Sequence, residues 1–146
     1  MNAVWSRCIV VAALFCSAKL AVADFVLITE EEARRPRLTV RSGTFPAPGI
    51  EVFGPKEDAP ADSPVNFVIK FSAHGGAAVN MDSLIVTYMV RAPVDLTGRL
   101  RPFIQKEEIR VKDAIVPPGK HELRISIQDS NGESRQRFYT FCIRTC

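Results

Sequence analysis

The chain has 146 residues, 24% charged and 47% hydrophobic, with a formal charge of +3 at pH 7. That length suits one domain with its own core, and both signs of charge spread along the chain exclude a nucleic-acid binder, which needs a strong basic excess. Every apolar run stays well short of the roughly 20 residues that cross a bilayer, so the mature chain is expected to have no transmembrane segment.

The first stretch, "MNAVWSRCIVVAALFCSAKLAVAD", reads as a secretory signal. Arg7 makes a positive start, residues 9–16 an apolar core, and Ala21-Val22-Ala23 a small-x-small cleavage site. A lipid anchor at Cys16 fits less well, because the bulky Phe15 stands where a small residue is needed. Cleavage after residue 23 leaves 123 of the 146 residues and, with Arg7 and Lys19 gone, a charge of +1. Export to an oxidising compartment is therefore expected, most simply the bacterial periplasm.

Residues 24–48 read as an arm or linker. In "DFVLITEEEARRP" Thr29 can cap a short helix whose first turn holds Glu30, Glu31 and Glu32, and Pro36 stops it. The "EEE" and "RRPR" runs are expected to be solvated. The domain proper is expected at residues 49–146. It opens with a short apolar run at 50–53 among prolines and glycines, the mark of an edge strand.

Strict alternation follows. Val65, Phe67, Ile69 and Phe71 share one face, and Leu84, Val86, Tyr88 and Val90 do the same in the next strand. Ile85 and Met89 make that second strand apolar on both faces, which suggests a central position, with Met89 on the outer side. "VDLTGRLRPFI" breaks the pattern and leaves room for one helical turn or a crossing loop. Ile109 and Val111 mark a short strand, and Leu123, Ile125 and Ile127 a longer one. "DSNG", residues 129–132, is a hairpin turn, since Asn131 and Gly132 tolerate positive φ and Asp129 can bond the backbone. Strands with turn chemistry between them predict an all-β, two-sheet sandwich.

"SPVNFVIKF", "SLIVTYMV" and "VPPGKHELRISIQDSNGESRQRFYTF" together resemble the immunoglobulin-like domains of exported bacterial proteins. "FVLITEEEARRP" is similar to the start of small exported proteobacterial proteins. The resemblance implies an antiparallel immunoglobulin-like β-sandwich with binding loops at its ends, here "HGGAAVNMD", "VDLTGRLRP" and "DSNGES". It departs from antibody domains: the single Trp is Trp5, in the leader, and the mature cysteines, Cys142 and Cys146, lie four apart.

An extended strand would put those two cysteines about 13 Å apart, at ~3.4 Å per residue, against the roughly 4.4–6.8 Å between Cα atoms that a disulfide spans. A Cys142–Cys146 clasp therefore needs the chain to reverse after Ile143. The alternative is a buried Cys142 with Cys146 free to bridge to another chain.

Groups that carry chemistry are sparse. His121 is in phase with Leu123 and expected inside, whereas His74 sits in a glycine-rich loop. No nucleophile elbow is present, and Glu107, Glu108 and Asp113 are adjacent or near on one strand and point to different faces. No enzyme, no cofactor and no catalytic residue is expected. The candidate binding-loop residues are His74, Asp82, Asp95, Asp129 and Asn131. The leading reading is a non-catalytic interaction module of the cell envelope, its partner an unidentified protein or envelope component. The alternative is a small periplasmic protein that binds calcium through loop carboxylates, or copper through His74, Met81 and Met89.

Overall fold

The computed structural model describes residues 24–37, 48–57 and 59–144. The expected leader lies outside these residues, as do positions 38–47 of the expected arm. In chain order the elements are helix α1 (Glu30–Ala33) and strands β1 (Gly49–Val52), β2 (Pro60–Ala61), β3 (Val65–Ser72), β4 (Val79–Tyr88) and β5 (Val94–Asp95). Helix α2 (Thr97–Leu100) and a 3-10 turn (Arg101–Phe103) follow, then β6 (Ile104–Gln105), β7 (Glu108–Ala114), β8 (Gly119–Asp129) and β9 (Ser134–Ile143).

Among the described residues the strands form two sheets, β1-β3-β7-β6 and β2-β9-β8-β4-β5. Pairing is antiparallel except between β2 and β9. Alternation in sequence becomes alternation in burial, because successive side chains leave a strand on opposite faces. Val65, Phe67, Ile69 and Phe71 of β3 are buried, as are Leu84, Val86 and Tyr88 of β4 and Leu123, Ile125 and Ile127 of β8. Each such side chain contributes roughly 1.5–3 kcal/mol when removed from water. The two layers meet at Phe67 and Phe141, whose rings pack edge to face at 5.1 Å. The tight turn between β8 and β9 is the expected hairpin, with Gly132 at φ +83°.

β4 does hold an inner position in its sheet, between β8 and β5, with Ile85 on the outer face and 49% exposed. One reading of that stretch needs correction. Met89, expected outside, is buried. There the strand ladder has ended: the Met89 amide donates to the Glu122 carbonyl, and the next residue, Val90, bridges to Arg37 of the N-terminal segment.

That segment is part of the core. Leu27 and Ile28 are fully buried, Phe25 packs on Phe103 at 4.5 Å, and Val26 bridges to Ile115 just after β7. Thr29 caps α1 in a capping box with Glu32. Glu32, expected in solvent, is buried, and this is a correction with a clear cause. The Arg99 guanidinium of α2 meets it in a two-pronged ion pair at 2.7 and 2.9 Å and also donates to the Leu27 carbonyl at 2.9 Å. Hydrogen bonding from Arg99 holds the Glu32 carboxyl down at about 2.

His121 fills the corner at the start of β8. Its Nε2 lies 2.8 Å from the Pro117 carbonyl, which only accepts, so Nε2 carries the proton. Nδ1 then accepts from the Tyr88 hydroxyl at 3.0 Å. Tyr88, His121, Phe141 and Tyr139 form a continuous aromatic row across the second sheet. Burial lowers the His121 pKa, Arg37 adds to this, and the Pro117 carbonyl and Glu30 oppose it.

Arg99→Met should destabilise the fold by about 2–3 kcal/mol in chemical denaturation, less than the roughly 3–5 of a fully buried pair because the Arg99 side chain is 35% exposed. The Glu32 carboxyl is held low, so its stabilisation is complete above its ordinary pKa of 4.5 and is lost as pH falls through about 2. In the variant the carboxyl is no longer held low, so this loss of stability between pH 4.5 and about 2 should disappear. His121 gives a second window: its folded pKa lies below the ordinary 6.5. Stability is therefore complete above that pH and declines as pH drops below it, because only the unfolded chain takes up the proton. Melting curves between pH 7.5 and 5 should show this decline, and His121→Phe should remove it.

Candidate functional site

The first strand of one sheet and the last strand of the other leave an open groove between them, about 430 Å³ in volume. Its walls come from Val52 at the end of β1, the following loop with Phe53, Pro55 and Glu57, and Arg137 and Tyr139 of β9. Phe53 extends the pairing of β1 by one bond, its amide donating to the Val68 carbonyl at 2.8 Å. The residue is nonetheless 59% exposed, at the rim of the groove. Lys70 lies 5.2 Å above its ring.

Arg137 reaches from β9 to the opposite sheet. One guanidinium nitrogen donates to the Ile50 carbonyl at 2.9 Å, and the other approaches the Glu57 carboxylate at 3.4 Å. Tyr139 lies at the inner wall, on the core side of β9 beside Phe141. Its hydroxyl is buried and has no hydrogen-bond partner among the described residues. Burial, with the Glu57 charge adding to it, pushes the phenol pKa well above its usual range, so the group is always a neutral donor. A buried polar atom without a partner typically costs about 1–3 kcal/mol.

The groove runs along an open strand edge. β2 covers β9 only at Cys142 and Ile143, and the Arg144 amide adds one bond to the Ala61 carbonyl at 2.8 Å. Residues 134–141 have no strand on that side among the described residues. Because strand peptide groups alternate in direction, those of Gln136, Phe138 and Thr140 face this edge, in phase with Arg144. A second hollow, of about 490 Å³, lies between Val26 and the Pro117–Pro118 turn, without an unpartnered buried polar atom among the described residues.

The structure brings some sequence-derived candidates together at one end of the sandwich. The loop that holds His74 meets the β8–β9 turn through the Ser130 amide and Ala78 carbonyl (2.8 Å), and the Ala78 amide returns a bond to the Ser130 hydroxyl (3.1 Å). His74 and Asn131 are exposed there, with Asp82 nearby on β4. Asp129 is buried, and its Oδ1 accepts from the Asn131 and Glu133 amides at 2.9 and 3.0 Å. That oxygen closes the turn. Asp95 lies apart, paired with Thr87 near the other end of β4, and accepts from the Thr97 amide at 2.8 Å. Those bonds from Thr97 lower its pKa.

Met81 of β4 and Met89, just past its end, are eight positions apart, roughly 26 Å along an extended chain, so His74 and the two methionines do not converge. Among the described residues no three His, Cys, Asp or Glu side chains gather in a metal-ligand cluster. Cys142 is buried and disulfide-bonded; Cys146, one of its two expected fates being a clasp to Cys142, lies outside the described residues. Arg144 adopts φ +63°, so the chain does turn immediately after Ile143.

Phe53, Arg137 and Tyr139 escaped sequence reading. Arg137 and Tyr139 follow the same alternation as Phe141, which marks the inner face but not a sheet margin. Searches against protein-family models, curated proteins and solved structures found no match.

Asp129→Ala should lower stability by about 1–2 kcal/mol, and by the same amount with and without chelator, since the carboxylate serves backbone amides. A melting midpoint that rises with added calcium in the parent and not in the variant would assign the carboxylate to a metal instead.

Proposed function

We propose that this chain is an exported, non-catalytic interaction module of immunoglobulin-like type, which takes an extended segment of an envelope partner alongside β9. The strand order supports the fold type. Naming β1, β3, β4, β6, β7, β8 and β9 as A, B, C, D, E, F and G makes the sheets A-B-E-D and G-F-C, the order of immunoglobulin domains. β2 and β5 extend the second sheet at its margins. His121 answers to the tyrosine corner of such domains, a side chain near the start of strand F that bonds the backbone a few residues upstream. Export rests on the leader sequence.

The open edge of β9 beside a ready-made groove carries the binding proposal. Edge strands are ordinarily short, covered or interrupted, because their unpaired peptide groups recruit other strands. Among the described residues that edge is unpaired along residues 134–141, while Tyr139 and Phe141 on the inner face of the same strand are buried in the core. A partner strand would gain backbone hydrogen bonds from the edge and side-chain contacts from the groove, the logic of strand addition.

Selection of ten-residue peptides against the protein should yield binders that slow hydrogen exchange at the Gln136, Phe138 and Thr140 amides. Gln136→Pro and Thr140→Pro remove donors that face outward, so both should fold normally and bind at least tenfold more weakly. Binders that protect the loops at 73–78 and 129–133 instead would overturn the proposal.

A further inference from the structure

We infer that the groove between β1 and β9 receives an acidic side chain of the bound segment, held by the Tyr139 hydroxyl and the Arg137 guanidinium. The inference rests on the strand-addition reading and names what the added strand must carry. Four observations lead to it.

Tyr139 is held in the core by Phe141, so its ring needs no hydroxyl to stay in place. The hydroxyl is nevertheless present, buried and without a partner among the described residues. Buried polar groups in folded proteins are normally satisfied, and an exception calls for an explanation. The other buried polar residues among those described all have partners: Thr97, Asp129, His121 and Glu32 at 3.0 Å or less, and Thr87, which accepts from Arg124, at 3.5 Å. Tyr139 departs from that practice at the wall of a groove.

The groove is also rich in donors. Among the described residues Arg137 and Lys56 line it together with the carboxylate of Glu57. Arg137 holds that carboxylate loosely, at 3.4 Å, whereas its bond to the Ile50 carbonyl is firm at 2.9 Å. An incoming carboxylate can displace Glu57, which is exposed, while Arg137 keeps its place across the sheets. Tyrosine adds a neutral donor that stays protonated, so the site offers two donors and needs an acceptor. Hydrogen bonds from such donors to a charged acceptor are the stronger kind.

Register supplies the geometry. Inward-facing residues of β9 are Arg137, Tyr139 and Phe141, so a strand added at its edge would turn every second side chain toward the same gap. Phe53 and Val52 form the apolar side of that gap and fit the methylene stem of a glutamate, the carboxylate going inward.

Three blocked pentapeptides test this, with threonine and valine alternating around a central glutamate, glutamine or leucine. Titrations followed by amide chemical shifts should show the glutamate peptide binding at least tenfold more tightly than the leucine peptide, with shifts at residues 52–57 and 136–140. Tyr139→Phe should erase most of that preference and leave the melting midpoint unchanged or higher, since the hydroxyl it removes has no partner among the described residues. A hydroxyl with a purely structural role would lower the midpoint and leave the preference intact. Equal binding of all three peptides along β9 would overturn the acidic pocket and leave strand addition standing. No binding by any of them at millimolar concentration would overturn both.

Discussion

The structure depends on the contact that joins its two layers, the edge-to-face packing of Phe67 on Phe141 within a bed of inward-facing aliphatic side chains. Neither sheet could stand alone, since each has one face that must leave water. Once the layers meet, every strand has an inside and an outside, and the polar groups caught on the inside must find partners. His121 finds the Pro117 carbonyl and Tyr88; Glu32 finds Arg99. An aromatic row through Tyr88, His121, Phe141 and Tyr139 runs across the second sheet.

The same constraint explains the N-terminal segment. A sandwich is open at its margins, where core side chains would otherwise meet solvent. Leu27 and Ile28 close one such margin, and the Glu32–Arg99 pair fixes the segment in place. The opposite treatment is seen at β9, where Arg137 spans the gap between layers without filling it. One margin is sealed with apolar side chains and the other is left as a groove with donors in its wall. That difference motivates the functional proposal, since packing alone would favour sealing both.

Much of the fold was readable because one physical rule writes it into the chain. Period-two alternation at Val65–Ser72, and again at Leu123, Ile125 and Ile127, identified core-facing residues without error. Turn chemistry located the hairpin at Asp129, and capping chemistry located α1 at Thr29. The candidate site was not readable in this way. Phe53 follows a strand among prolines and glycines, and its sequence neighbourhood gives no sign that the ring stays outside. Glu32 sits in an acidic run whose ordinary fate is solvent, and its partner is 67 residues away. Met89 was misplaced because alternation was extended one residue beyond the end of the ladder.

By itself, then, the sequence determined which residues lie on the inner faces, where the chain turns and that the result is two layers of strand. Those are consequences of local geometry, of side chains alternating along extended backbone and of turns requiring particular φ angles. Only the tertiary structure decided which margin is sealed, which polar groups meet and which hydroxyl is left over. Such pairings join residues tens of positions apart, and their energy depends on the distance and solvent exposure of both partners, quantities that exist only after the layers have closed.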